Sequence, residues 1–488
     1  MSEKNLPTAF KGHNMLIICP EYIYYLGHTM DYLWQHPDWP NFQYDSQAVY
    51  DLLYRYAIES SQLAETVGRL PDQLEQEANI DLIVSEAIET MAIEGESLNR
   101  PEVLSSIKNQ LGLNQPLEPL HNPKAKQVTA LLLTVRKHFN KPLCKAELIR
   151  WKKILFGETW HPSTIDKEPW RTVEMSIIKG GRIDRANDLV YEAVPLKQVE
   201  AEMAHYLDWY NATRPKESLD SKIIPGPVRA AIAHLWFEII HPFEDGNGRV
   251  GRAIAEHALA PELGRPPLAS LSAAIQAKKA DYYQALEDAN QNLDITSWIS
   301  YFVKTIIQSQ RIARLQIDRV LTKAKFFDQY NDQINARQRR VILYMFDAEP
   351  SIKERSVNRN KYTSMITESA KTAQRDLQDM VKKGIIVPLP GRGRSTRYTL
   401  KLNELTQAIT RVELAEVTAE FPDKFNVSAA IEYLSYKGTI EKITDRLVIQ
   451  QVAKNNLVVH RKDQLAHLEN RGQIVYIDYL TGKVEAVE

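Results

Sequence analysis

His241-Pro242-Phe243-Glu244-Asp245-Gly246-Asn247-Gly248-Arg249-Val250-Gly251-Arg252 is the stretch on which the reading of this 488-residue chain turns. Before it, Pro225 and Pro227 open a helix over 228–240, where prolines fit a first turn. Its run Ala-Ala-Ile-Ala-His-Leu-Trp-Phe-Glu-Ile-Ile is apolar nearly all round, which predicts the buried central helix of a domain. A second helix is expected over 252–259. Between the two lie Asp245, Gly246, Asn247 and Gly248, and glycines let successive amides turn inward into an anion-binding nest. A helix N-terminus adds its dipole to that nest. Arg249 and Arg252, three apart, share a helix face and present two guanidinium forks to one anion. Asp245 offers the hard oxygen ligand that magnesium prefers. His241 has the ordinary pKa that suits a general base near neutrality. A lone His-Pro or Gly-x-Gly reads as a helix stop or a loop; their joint occurrence with Asp, Asn and two spaced arginines points to a phosphate site.

Composition narrows the class. Lys and Arg number 61 against 62 Asp and Glu, so global charge points to neither nucleic acid nor a membrane. The 44% hydrophobic content is that of an ordinary folded protein, and the length implies two to four domains. Two cysteines, Cys19 and Cys144, can build neither a disulfide framework nor a cysteine zinc site. No apolar run reaches the length that crosses a bilayer. A cytoplasmic protein is expected.

Residues 1–29 lack periodicity and read equally as an N-terminal extension or as an upstream start to the reading frame. A helical module carrying residues 30–115 follows, with apolar positions at helical spacing over 46–68 and 74–93. Residues 116–310 carry further helical patterns, interrupted between Trp170 and Val194 by a Gly-rich stretch that reads as a hairpin. Over 333–400 two helical segments, a third from Ser369 to Lys383 and a basic Gly-rich hairpin outline a winged helix-turn-helix. From Arg337 to Leu400 there are 14 Lys and Arg against 6 Asp and Glu, the one strong charge asymmetry in the chain. Residues 401–488 mix helical and strand-like patterns and end in a hairpin around Thr481-Gly482, with no function assigned.

The central stretch resembles the signature of the Fic family of protein adenylyltransferases, HxFx(D/E)GNGRxxR, at every defined position. The resemblance covers about Met30 to Ile307. It implies a mainly α fold: a helical Fic domain with a β-hairpin flap, here joined to the winged helix-turn-helix and a small α+β C-terminal segment. It implies AMP transfer from ATP to a Ser, Thr or Tyr hydroxyl of a protein, this chain included. His241 would deprotonate the hydroxyl and Asp245 would hold Mg2+. The run Gly246, Asn247, Gly248, Arg249, Val250, Gly251 and Arg252 would bind ATP, the two arginines at its β- and γ-phosphates. The hairpin after Arg171-Thr172 resembles the flap that registers a target strand, with Met175, Ile177 and Ile178 at its tip. Tyr282, Tyr283 and Asn290 stand at matching positions of the adenine-pocket helix, although plain core packing explains a tyrosine pair equally well.

Thr90-Met91-Ala92-Ile93-Glu94-Gly95 matches the family's inhibitory motif, (S/T)xxxE(G/N). Glu94, with Thr90 and Gly95 framing it, would pair bidentately with Arg252 and deny that arginine to the γ-phosphate. Relatives that use other nucleotides or phosphocholine, or that remove AMP, are the nearest enzymatic alternatives. A DNA-binding regulator is the alternative of another class, with Lys371 and Arg375 on the recognition helix and Arg392, Arg394 and Arg397 on the wing. Such modules also serve dimerisation, so a homodimer is a further expectation; no membrane partner is.

Overall fold

The computed structural model describes residues 32–157, 170–179, 189–215, 224–347, 356–366, 368–389 and 396–402, with strand segments at 11–12, 15–18, 426–429, 435–444, 447–453, 456–461, 474–478 and 483–486. Contacts divide the chain into two compact units, residues 1–70 with 75–313 and residues 71–74 with 314–488. The fold is mainly helical, with small sheets.

In the first unit, β1 (Lys11–Gly12) and β2 (Met15–Ile18) precede helices α1 (Ser46–Gly68), α2 (Asp72–Ile93, in this unit from residue 75 on), α3 (Arg100–Gln110), α4 (Pro123–Lys137) and α5 (Lys145–Phe156). Local chemistry sets several starts. Asp45 Oδ1 accepts from the Gln47 amide at 2.9 Å to cap α1, and Asn122 Oδ1 accepts from the Lys124 amide at 2.9 Å to cap α4. The predicted hairpin is β3 (Ser176–Lys179) and β4 (Leu189–Glu192), antiparallel. The extension expected at 1–29 contains two short strands: β1 pairs with β2, and β2 pairs antiparallel with β3, Ile17 opposite Ile177, so the sheet runs β1-β2-β3-β4. Alternation over so few residues left no periodicity to detect.

Helix α6 (Val199–Ala212) then leads to α7 (Gly226–Ile240), in which all residues but Glu238 are buried. Its apolar surface forms the centre of a core that includes Tyr206, Phe237, Phe243, Ile254, Trp298 and Phe302. Helix α7 packs chiefly against α6 and the helix that follows it, and a helix apolar all round requires such burial on every side. Helix α8 (Asn247–Leu263) begins earlier and ends later than the expected 252–259. Then come α9 (Leu271–Ala277), α10 (Lys279–Ala289) and α11 (Thr296–Tyr330), whose residues through 313 belong to this unit.

The second unit contains α12 (Ala336–Asp347), α13 (Arg359–Ile366), α14 (Ala370–Lys382) and the antiparallel pair β5 (Ile386–Pro388) and β6 (Tyr398–Leu400). This is the helix, helix, helix, wing order of a winged helix-turn-helix. Its core joins Val341, Tyr362, Leu377, Met380 and Ile386. The Ser369 Oγ accepts from the Thr372 amide at 3.1 Å and starts α14. The described part of 401–488 is one sheet built from β7 (Asn426–Ala429), β8 (Ser435–Ile443), β9 (Leu447–Ala453), β10 (Asn456–Arg461), β11 (Ile474–Asp478) and β12 (Lys483–Ala486), in the order β12-β11-β8-β9-β10-β7. β11 and β12 pair antiparallel, as the hairpin expected around Thr481-Gly482 requires. No helix among the described residues is long and apolar enough to cross a membrane.

Candidate nucleotide site

Helix α7 stops because His241 takes a left-handed conformation, φ 51° and ψ 58°, ahead of Pro242. Among the described residues it is the sole non-glycine with positive φ. A branched or aromatic side chain held there costs roughly 1–3 kcal/mol, a strain that collects at functional turns. Arg171, fully buried, over-determines the turn: its Nε donates to the His241 carbonyl at 3.0 Å and its amide to the Pro242 carbonyl at 2.8 Å. Its remaining donors reach the Val173 carbonyl at 2.8 Å and the Val194 carbonyl, so the base of the hairpin and the turn are one rigid piece. Sequence reading named Arg171 only as a landmark; nothing in its spacing announced that it clamps a segment 70 residues away.

His241 is 9% exposed, and its Nδ1 lies 3.3 Å from the Glu238 carbonyl. That bond places a proton on Nδ1 and leaves Nε2 as the acceptor. Burial pushes its pKa down to about 4, so the ring is neutral at pH 7 and able to take a proton.

Gly246, at φ 89°, is the N-cap of α8, and a Cβ there would sit 3.0 Å from the Phe156 ring. The first amides of α8 have no intrahelical partners, as at any helix start, which leaves them open to an anion. Asn247 does something other than cradle phosphate with its side chain: Oδ1 accepts from the Phe243 amide at 2.9 Å and Nδ2 donates to the Phe243 carbonyl at 2.6 Å. Only 2% exposed, that side chain is spent on folding the loop. Val250 is likewise corrected: wholly buried, it packs in the core. Gly251 faces the interior, against Glu238 and His234.

Asp245 has a half-exposed carboxylate whose Oδ1 accepts from Arg249 Nη2 at 2.9 Å. The Arg249 guanidinium stacks on Phe156, 5.3 Å from its centroid. An exposed hard carboxylate beside an N-terminal amide nest fits a magnesium ion bound with a polyphosphate.

The second arginine is already engaged. Helix α2 ends with Gly95 at φ 81°, and the turn aims Glu94 back at α8. Glu94 Oε1 lies 2.8 Å from Arg252 Nη2. The pairing is through one carboxylate oxygen, in place of the bidentate fork expected from sequence. Thr90 takes the other donors, its Oγ1 accepting from Nε at 2.8 Å and its carbonyl from Nη2 at 3.0 Å. Burial works to raise the Glu94 carboxyl, but the Arg252 guanidinium outweighs it and holds the group below its ordinary range. A Cβ on Gly248 would fall 2.5 Å from Glu94 Oε1 and 3.0 Å from Arg252 Nη1, so the glycine makes room for this contact. Lys279 Nζ donates to the Ile93 carbonyl and Glu86 accepts from Ser270 Oγ at 2.8 Å and the Ser272 amide at 2.9 Å, tying α2 to α9 and α10. Neither Lys279 nor Glu86 stood out in the sequence, where each is one charge on a helix.

On α10, Tyr282 is 2% exposed, and its hydroxyl lies 2.8 Å from His234 Nε2. Tyr283 is half-buried at 5.3 Å centroid distance. Asn290 carries a buried Oδ1 with no hydrogen-bond partner among the described residues, a group that an amine donor would satisfy. Tyr282 is therefore core packing joined to His234, while Tyr283 is less buried and Asn290 holds the unpartnered oxygen. Met175 is corrected: 3% exposed, with its carbonyl accepting from the Ala193 amide, it lies at the base of the hairpin and not at its tip. Ile177 and Ile178 belong to β3, with side chains outside the described residues.

In the winged helix, Lys371 and Arg375 are exposed one turn apart on α14, opposite buried Ala373, Leu377 and Met380. Arg397 is corrected as a free wing cation: its Nε bonds Ser356 Oγ at 2.5 Å and its Nη2 the Ser356 carbonyl at 2.7 Å. Arg392 and Arg394 lie outside the described residues.

Residues 142–259 match the Fic/DOC family, residues 32–113 a domain of unknown function (DUF4172) and residues 435–488 the KfrB domain. Protein adenylyltransferase fic-1 of Caenorhabditis briggsae is 29% identical over 130 residues, 26% of this chain and 23% of that protein. The protein of the same name from Caenorhabditis elegans matches to the same extent. The chain thus spans under a quarter of the length of these curated relatives. Among solved structures, a Fic family protein from Desulfovibrio desulfuricans G20 aligns over 76% of this chain and 99% of its own, with 19% identity and a TM-score of 0.42. A Fic domain containing signaling protein from Bacteroides thetaiotaomicron VPI-5482 aligns over 55% and 97%, with 16% identity and a TM-score of 0.41.

Proposed function

We propose that this protein transfers AMP from ATP to a hydroxyl side chain of a protein and is held inactive by Glu94. The observation that carries the reading is the pairing of Glu94 with Arg252 beside a neutral His241 and the amide nest of α8. His241 Nε2 takes the proton as the target oxygen attacks the α-phosphorus in line. The new bond is O–P, the broken bond joins the α-phosphorus to the bridging oxygen, and pyrophosphate leaves. Arg249, Arg252 and the first amides of α8 bind the departing phosphates, so charge neutralisation and positioning supply most of the rate. Asp245 would hold Mg2+, which supplies charge neutralisation on the polyphosphate when bound. Asn290 and Tyr283 would receive the adenine.

While Glu94 occupies Arg252, the γ-phosphate loses its guanidinium and ATP is bound in a non-productive pose. The target, the self-modification and the choice of Ser, Thr or Tyr belong to the same proposal. Labelled ATP incubated with wild-type protein, E94G and H241A tests it, with intact-mass measurement of the products. AMP addition that rises in E94G and vanishes in H241A supports the reading; another added mass assigns another nucleotide or phosphocholine, and AMP loss from a modified target assigns the reverse reaction. No change of mass in any variant overturns it.

A second reading concerns α14. Lys371 and Arg375, exposed on one face of the helix that follows the turn, suit phosphates of a DNA duplex, and we propose DNA contact as an accessory activity.

A further inference from the structure

Helix α7 places His234, Glu238 and His241 along one face. Glu238 is the residue of that helix which breaks its apolar run, and its side chain is only 14% exposed. Its Oε2 lies 3.9 Å from His241 Nδ1. Its Oε1 has no hydrogen-bond partner among the described residues. An unpartnered buried carboxyl oxygen is costly, and an aliphatic side chain would fill the same space without that cost.

The chain also gives up a side chain to hold this carboxyl. A Cβ on Gly251 would clash with Glu238 Oε1 and fall 3.1 Å from His234 Nδ1. Gly251 occupies a position that the HxFx(D/E)GNGRxxR signature leaves undefined, so the motif offers no reason for a glycine there. Room for the Glu238 carboxyl is the reason the structure supplies.

We propose that Glu238 is a positioning residue for His241: its backbone carbonyl holds the ring at Nδ1, and its side chain, once ionised, stabilises the imidazolium that forms when Nε2 takes the target's proton. The inference rests on the reading of His241 as the base. In that step the hydroxyl O–H bond breaks, the Nε2–H bond forms and the positive charge appears on the ring, 3.9 Å from Glu238 Oε2. A carboxylate at that distance favours the charged imidazole, and with its pKa pushed up to about 8 Glu238 supplies that charge only once it has lost its own proton.

The surroundings decide when Glu238 is ionised. Burial pushes its pKa up to about 8, with Arg252 on α8 working the other way and Glu94, after α2, adding to the rise. His234, on the same helix, is pushed down to about 4 by burial and stays neutral. The phenols that face it, Tyr206 on α6 and Tyr282 and Tyr283 on α10, are held above their ordinary range by burial and stay protonated. At His241 itself, Arg171 opposes protonation of the ring and Glu94 favours it. Withdrawal of Glu94 therefore removes a like charge from Glu238 as well as freeing Arg252, and the brake acts on the base as well as on the phosphate site.

The test uses full-length protein in the E94G background, comparing E94G with E94G/E238Q, E94G/E238D and E94G/G251A. AMP transfer is followed across pH, ATP affinity by calorimetry, and the His241 Nδ1–H proton by NMR. For E94G/E238Q the expected plateau rate falls about tenfold, and the acid limb, which in E94G follows the ionisation of Glu238, moves to lower pH because only His241 is left to set it. ATP affinity stays within roughly twofold, because the lost interaction belongs to the reacting state. The Nδ1–H resonance moves upfield, E238D restores part of the rate, and G251A, which displaces the carboxyl without removing it, acts in the same direction. Should E94G/E238Q not fold, G251A decides. An unchanged plateau, acid limb and Nδ1–H resonance overturn the proposal. Absence of transfer in E94G itself would strike the assigned activity instead, and the NMR comparison would still decide whether Glu238 holds the ring.

Discussion

Glu94 and Arg252 are 158 residues apart in sequence and 2.8 Å apart in the folded protein. The arginine is 1% exposed and the glutamate 33%, so the contact joins a buried cation to a carboxylate that solvent still reaches. Such a pair can open without dismantling the core, as the proposed brake requires.

Replacement of Glu94 by glycine frees the guanidinium, and AMP incorporation is expected to rise on the order of tenfold or more. Thr90→Ala removes only the Oγ1 contact with Nε and is expected to give a smaller rise, since one hydrogen bond to a charged group is worth about 1.5–3 kcal/mol. Autoradiography of the two variants beside wild type checks the order; equal labelling in all three refutes it.

His241→Ala is expected to lower transfer by about 10²–10⁴-fold, the usual range for a lost general base. ATP affinity should change little, because the ring's known contacts are to α7 and the turn. Calorimetry and initial rates on the E94G background separate the two effects, and a near-parental rate removes His241 from the chemistry.

Stability should report the buried carboxyl of Glu238. Its pKa is raised to about 8 in the folded protein from 4.5, so between those values the folded state binds the extra proton. The group's effect is therefore most favourable below 4.5, is lost as pH rises, and reaches its full cost above 8. E238Q is expected to raise Tm relative to wild type at pH 9 and to lose that advantage by pH 5. His241 contributes with the opposite sense, its pKa being lowered from 6.5 to about 4, so its burial costs more as pH falls through that window. Thermal scans of E238Q and wild type at several pH values check the sign; a Tm difference independent of pH contradicts it.

If α14 contacts DNA phosphates, full-length K371A and R375A should each weaken DNA retention without sequence preference and reduce the slope of log affinity against log salt by about 1. Electrophoretic retention at stepped salt measures it. No retention by wild type at low salt dismisses the contact.

Much of the site was legible before folding. The His241 to Arg252 run, the Thr90 to Gly95 run and the winged-helix outline are local patterns, and each formed the element its pattern implied. What reading missed has a common cause. Arg171 appears in sequence as one arginine before a hairpin, yet it donates to the carbonyls of His241, Pro242 and Val194. Lys279 and Glu86 look like surface charges on amphipathic helices and instead fasten α2. Asn247, Val250, Met175 and Arg397 stand within or beside motifs, which suggests that they face ligands, and packing turns each inward or ties it to the fold.

Residue order was enough to establish which helices would be buried, where a helix had to stop at His241-Pro242, and which turn would carry an amide nest, because backbone preference and apolar periodicity act over a few residues. Which side chain met which across 70 to 160 residues was settled by packing alone: burial took Arg171, Glu238 and Arg252 out of water, and each then found whatever neighbours the crossing helices brought to it. Glu238 shows the difference most directly, since only the assembled α7 and α8 reveal that Gly251 leaves space for its carboxyl beside His241.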